Sequence, residues 1–150
     1  MIKTKLAFIV WFLTLAGLSV QCQTANNIKK IEYTTLTRGY QKHVVISADS
    51  VKTSVEGREE DRQSKRALSK AEWNTVMDAL KNVKISTIPS LPSPTMKRAY
   101  DGALHSTLTL TTQDQIDFGH SFDDENPDPK LVPLMKAVLK IADTEKALDK

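Results

Sequence analysis

Apolar and polar positions alternate with a period of two over several short stretches of this chain, and that period sends successive side chains to opposite faces of a strand. Ile31-Glu32-Tyr33-Thr34-Thr35-Leu36-Thr37 is the first such stretch. It is rich in β-branched and aromatic residues and is closed by Arg38-Gly39, whose glycine tolerates positive φ. His43 to Ala48 forms a second run and Val51 to Val55 a third, with Asp49-Ser50 as the turn between them. These three predict a meander. Gly57 to Arg66 holds no apolar side chain and balances its own charges, which predicts a solvated loop or strand end.

The period then lengthens to that of a helix. Ser69 and Glu72 have the spacing of a capping box, flanked by Leu68 and Trp73 as a hydrophobic staple. Trp73, Val76, Met77, Leu80 and Val83 lie on one stripe, with Asn74, Asp78, Lys81 and Asn82 on the other, so a helix is expected from Lys70 to Val83. Ile85 to Lys97 carries Pro89, Pro92 and Pro94, which excludes regular helix or central strand and predicts an extended surface course. Tyr100-Asp101-Gly102-Ala103 reads as a turn, with Asp101 a turn former rather than a catalytic acid.

Alternation returns in Leu104, Leu108 and Leu110 and again in Ile116, Phe118, His120 and Phe122. A two-residue loop would set Leu110 against Asp117 and Leu108 against Gly119, so both apolar sets share a face only if the loop is odd. A three-residue loop is therefore predicted, with Leu108 and Leu110 near Phe118 and Ile116. Asp128-Pro129 then opens a last helix as N-cap and first-turn proline, Pro133 distorts that turn, and Leu131, Leu134, Met135, Val138, Ile141 and Ala142 form its apolar stripe. The order is strand, strand, strand, helix, strand, strand, helix. It predicts an α+β domain: an antiparallel sheet of about five strands with helices packed on one face.

The N-terminus has a different pattern. Lys3 and Lys5 precede an apolar run from Leu6 to Leu18 that ends at Ser19-Val20-Gln21-Cys22, the layout of a secretion signal over residues 1–22. The run is shorter than the ~20 residues of a membrane span. Residues 23–30 are expected to form a flexible tether, 31–143 the single domain and 144–150 a frayed tail. Cys22 leaves two kinds of processing open: cleavage after it, giving a soluble secreted or periplasmic product, or lipidation of Cys22 itself, giving an envelope lipoprotein held at the outer membrane. Only the second brings the protein to a membrane. With one cysteine in the chain, no internal disulfide framework is available.

Charge narrows the partners. The 150-residue chain has net charge +3, and loss of the signal with its two lysines brings it close to neutrality. There is no basic stripe interleaved with aromatics, so nucleic acid is not an expected partner. Chemistry is also sparse. The hairpin register sends His105 and His120 to opposite faces, which argues against a shared metal. Asp123, Asp124, Glu125 and Asp128 lack EF-hand spacing and are expected to face the positive N-terminus of the last helix. No G-x-S-x-G, H-E-x-x-H, C-x-x-C or phosphate-cradling glycine loop occurs, so neither catalysis nor a metal or cofactor is expected. The proline loop, through Pro89, Leu91, Pro92 and Pro94, is the candidate partner-binding segment.

Arg38-Gly39 after the first strand, Leu68-Ser69-Lys70-Ala71-Glu72 opening a helix, the proline loop, Leu108-Thr109-Leu110, and Pro129-Lys130-Leu131 with Leu134 together give a layout that resembles emfourin-type inhibitors of thermolysin-like proteases. Arg38-Gly39 stands where that family would have paired glycines, and the third-strand region is more charged. The resemblance implies a noncatalytic, protein-binding domain whose partner is another exported protein, a protease among the candidates. An envelope lipoprotein serving structure or small-ligand carriage is the alternative.

Overall fold

The computed structural model describes residues 27–57, 61–100 and 102–148. Six strands form one sheet: β1 (Ile28–Thr37), β2 (Tyr40–Ser47), β3 (Ser50–Gly57), β4 (Arg62–Ala67), β5 (His105–Thr112) and β6 (Asp117–Asp123). Their order across the sheet is β4-β3-β2-β1-β5-β6, and every neighbouring pair is antiparallel. Helix α1 (Lys70–Leu80) comes after β4, and α2 (Val132–Leu148) after β6. The architecture is α+β, with six strands rather than five.

The additional strand is β4, which lies in the charged stretch expected to be a solvated loop or strand end. It has no apolar stripe because its inward positions, Arg62, Ser64 and Arg66, are only half-buried. Arg66 occupies an inner-face site through its partners. Its guanidinium holds Glu72 with both terminal nitrogens, at 3.2 Å and 2.8 Å, and also donates to the Ile141 carbonyl at 3.2 Å. A charge is tolerated there because it is paired and hydrogen-bonded on several sides.

Other boundaries also move. β1 begins at Ile28, inside the expected tether, and Ile28 is a buried core residue. Residues 23–26, Cys22 and the whole of 1–22 lie outside the described residues, as does Asp101. At the other end, α2 continues through the expected tail to Leu148. Helix α1 stops at Leu80, three residues before the apolar stripe does. The proline-rich stretch opens with a 3₁₀ segment, Ile85–Ser90, that buries Ile85 and Ile88. Regular structure is absent only from Leu91 to Met96.

Period-two alternation builds the core. Ile31, Tyr33, Val44, Ile46, Val51, Leu108, Leu110 and Phe122 are buried on the helix side. Val76 and Leu80 of α1 and Leu134, Met135, Val138 and Ile141 of α2 are buried against them. The opposite face is polar, carrying Glu32, Thr34, His43, Thr107 and Thr109 in half-buried positions. The loop of residues 113–116 separates β5 from β6; the two apolar sets share a face as expected, but the register is shifted by two, setting Leu110 opposite Phe118 and Leu108 opposite His120. Gln115 adopts φ 61 to close it. Ile116 departs from its expected place: it lies beside the turn and is 46% exposed. Tyr33 spans the core's polar end, with its hydroxyl 3.4 Å from Ser106 Oγ, and burial raises its pKa.

The capping box of α1 is formed in full. Glu72 N donates to Ser69 Oγ at 3.2 Å, and Ser69 N donates to Glu72 Oε2 at 2.9 Å. The Arg66 hydrogen bonds, followed by that of the Ser69 amide, bring the Glu72 carboxyl from its ordinary 4.5 down to about 2. Asp128 caps the 3₁₀ turn Pro129–Leu131 that leads into α2, accepting from Lys130 N at 2.9 Å.

Two outcomes are expected. Leu134→Ala, at a fully buried position, lowers the free energy of urea unfolding by about 2–5 kcal/mol. Because the Glu72 pKa is depressed on folding, its stabilisation is complete above pH 4.5 and is lost as pH falls toward 2. Wild type is expected to lose about 1–2 kcal/mol more than Glu72→Gln across that window, after allowance for solvent screening.

Candidate functional site

The proline loop leads to one end of the sheet. Pro89, Pro92 and Pro94 are exposed, whereas Leu91 is half-buried and packs against the core. Leu91 is thus an anchor of the loop rather than a free contact. Beyond it, Asp123 holds the chain in place. This fully buried carboxylate accepts from Thr95 Oγ1 at 2.5 Å and from the Lys97 amide at 2.7 Å. Lys97 Nζ bonds Asp124 at 2.9 Å, and that hydrogen bond raises the lysine pKa.

The acidic cluster therefore divides its work. Asp128 caps the turn into the last helix as expected, but Asp123 and Asp124 clamp the proline loop instead of facing that helix. The physical reason is the position of β6: it ends at Asp123, beside the returning loop, where the Lys97 amide needs an acceptor.

The clamp brings the loop to the end of the sheet where the β1–β2 hairpin turns. Thr37 Oγ1 donates to the Gly102 carbonyl at 3.0 Å, tying the loop to the β1–β2 hairpin. Leu36 pairs with His105, and His105 pairs with Asp123, so the hairpin tip, the start of β5 and the end of β6 share one end of the sheet. Exposed there are Leu36 (44%), Tyr40 (37%), Met96 (63%) and Tyr100 (76%). Gly39 makes the hairpin turn at φ 73. Beside it lies an open depression of about 450 Å³ whose lining includes Leu36, Tyr40, Gln41 and Glu56. By the hairpin register Leu36 and Tyr40 lie on opposite faces of the sheet, and the loop brings Met96 and Tyr100 to the same end.

The histidines lie as the register argument expects. His120 is 4% exposed and stacks on Phe122 with ring centroids 5.5 Å apart, while His105 is exposed on the opposite face. Among the described residues, no three His, Cys, Asp or Glu side chains are grouped to hold a metal ion. Among the same residues, no helix is long and apolar enough to cross a membrane. The chemistry this end offers is contact: aromatic and thioether surface, with polar groups at its border.

Asp123→Asn keeps the size of the side chain and weakens both loop bonds. It is expected to cost about 1–3 kcal/mol and to speed proteolytic cleavage between Leu91 and Tyr100, read by mass spectrometry of timed digests.

Comparison with protein-family models, with curated proteins and with solved structures finds no match to this chain.

Proposed function

We propose that this protein is an exported, noncatalytic binding module that docks on another exported protein. The observation that supports this reading is the exposure of four large apolar side chains, Leu36, Tyr40, Met96 and Tyr100, at one end of the sheet. Exposed aromatic and apolar side chains supply contact area at protein interfaces, and tyrosine is frequent among the residues that dominate binding energy. The resemblance to emfourin-type inhibitors makes a thermolysin-like protease the first partner to test.

A lipid-anchored form of the same module is the second reading, and one observation favours it. Ten-residue β1 enters at Ile28 and reaches the hairpin at Thr37, so the apolar end lies about 30 Å from the chain's entry. A tether at Cys22 would leave that end pointing away from the membrane. Intact mass of the native protein separates the forms: a Gln23 terminus means a soluble product, and acylated Cys22 means an anchored one.

Inhibition of a thermolysin-like protease by the purified protein is the functional test. Leu36→Asp with Tyr100→Asp is expected to weaken inhibition at least about tenfold, while the unfolding free energy stays within about 0.5 kcal/mol of wild type. Absence of inhibition by the wild type would remove the protease. Failure to recover any envelope partner by crosslinking would remove the binding module itself.

A further inference from the structure

Along one edge, the sheet presents a second surface. β4 is an edge strand, paired with β3 on one side and with no described strand on the other. Its hydrogen-bonding directions are set by the ladder. Leu68 N donates to the Asp49 carbonyl at 2.9 Å, and the register pairs Val51 with Arg66, Thr53 with Ser64 and Val55 with Arg62. Alternation of bonded and non-bonded pairs then turns the backbone groups of Ser64 and Arg66 toward β3 and those of Gln63, Lys65 and Ala67 outward. The side chains of these three outward residues are all exposed.

Within β4 the charged side chains, Arg62, Lys65 and Arg66, are all cationic, and the acids Asp61 and Glu56 lie beyond its start. Lys65 stands directly opposite Lys52 on the polar face of the sheet. Like charges in that relation repel. Among the described residues, neither ammonium has a hydrogen bond or an ion pair. Asp49 feels Lys65 only as the smallest of the influences on its carboxyl, which is held chiefly by the hydroxyls of Ser47 and Ser50. One lysine on an edge strand is an ordinary guard against unwanted pairing. A second lysine, one strand further in and facing the first, adds nothing to that guard and costs repulsion. It does add attraction for an anion lying across both strands.

We propose that β4 is the docking edge for an extended acidic segment of a partner protein, added as a seventh strand. Residues paired across two strands share a face, so a carboxylate side chain opposite Lys65 would lie on the polar face with both ammonium groups within reach. The backbone of Gln63 and Lys65 and the amide of Ala67, whose carbonyl already accepts from Arg66 Nη1 at 3.1 Å, supply affinity, and the lysine pair selects for negative charge. This surface is separate from the apolar end, and the proposal does not rest on the reading given under the proposed function.

The test uses the isotope-labelled full chain and, as probe, a capped peptide of alternating glutamate and threonine. Amide hydrogen exchange at Gln63, Lys65 and Ala67 is expected to slow on peptide addition, while Ser64 and Arg66, already bonded to β3, change little. Affinity should fall with added salt and drop roughly tenfold or more in Lys52→Glu with Lys65→Glu. Gln63→Pro removes an outward donor yet keeps both lysines and the β3–β4 bonds, a substitution that edge strands accept; it is expected to abolish the protection. Unchanged far-ultraviolet dichroism confirms that the variants fold. The proposal is overturned if the outward amides show no protection, or if Gln63→Pro binds the peptide as wild type does. It is equally overturned if an oligonucleotide or an anionic vesicle binds this face and the peptide does not.

Discussion

A single-layer sheet has two faces, and this chain has helices enough to cover one. That constraint organises the rest of the molecule. Each strand of the core must put its apolar set on the covered side, so the register between strands is fixed wherever a slip would carry a leucine or isoleucine into water. Leu110 opposite Ile31 and Leu108 opposite Tyr33 are the points where the constraint is tightest, since all four are fully buried. The helices bring matching stripes, and the polar residues left on the other face need no cover.

Where the sheet outgrows its apolar supply, charge replaces it. β4 has nothing greasy to offer the helix layer, and Arg66 joins it to the layer by contacts of another kind. One guanidinium reaches the cap residue of α1 and a backbone carbonyl of α2. The same Glu72 that it holds also completes the capping box, so strand edge, helix start and second helix meet at one ion pair. At the far end of the sheet Asp123 does comparable work for the loop. Both joints use buried or partly buried charge with several hydrogen-bond partners, an ion pair at Arg66 and a carboxylate accepting from a hydroxyl and an amide at Asp123.

The legibility of the sequence divides along these lines. Both helix starts are legible, because capping chemistry is local and carried by residue type: Ser69 with Glu72, Asp128 with Pro129. The shared face of the two apolar sets in the β5–β6 hairpin is legible because a one-residue slip would set Leu110 against Asp117, whereas the register itself, shifted by two, is not. β4 is not, since strand reading looks for alternating apolar residues and the partner that lets Arg66 face inward is supplied by a different element. Ile28 is hidden by Lys29 and Lys30 beside it. The roles of Asp123 and Asp124 mislead for a related reason: their neighbour in sequence is the last helix, but their neighbour in space is a loop from before β5. Of the candidate surface, the exposed prolines are visible in the sequence, while the placing of Leu36, Tyr40, Met96 and Tyr100 at one end of the sheet depends on tertiary closure.

The central position of β1 has a consequence for the order of events during synthesis. Its partner on one side, β2, comes at once, but its partner on the other is β5, at His105–Thr112. Until that segment has been made, β1 is the open edge of the four-strand ribbon β4-β3-β2-β1, and of the two helices only α1 precedes it in the chain. Closing the long loop between the partners is an entropic cost met before its contacts reward it. The edge of β1 therefore stays open to pairing with another chain until the last third of the sequence supplies β5.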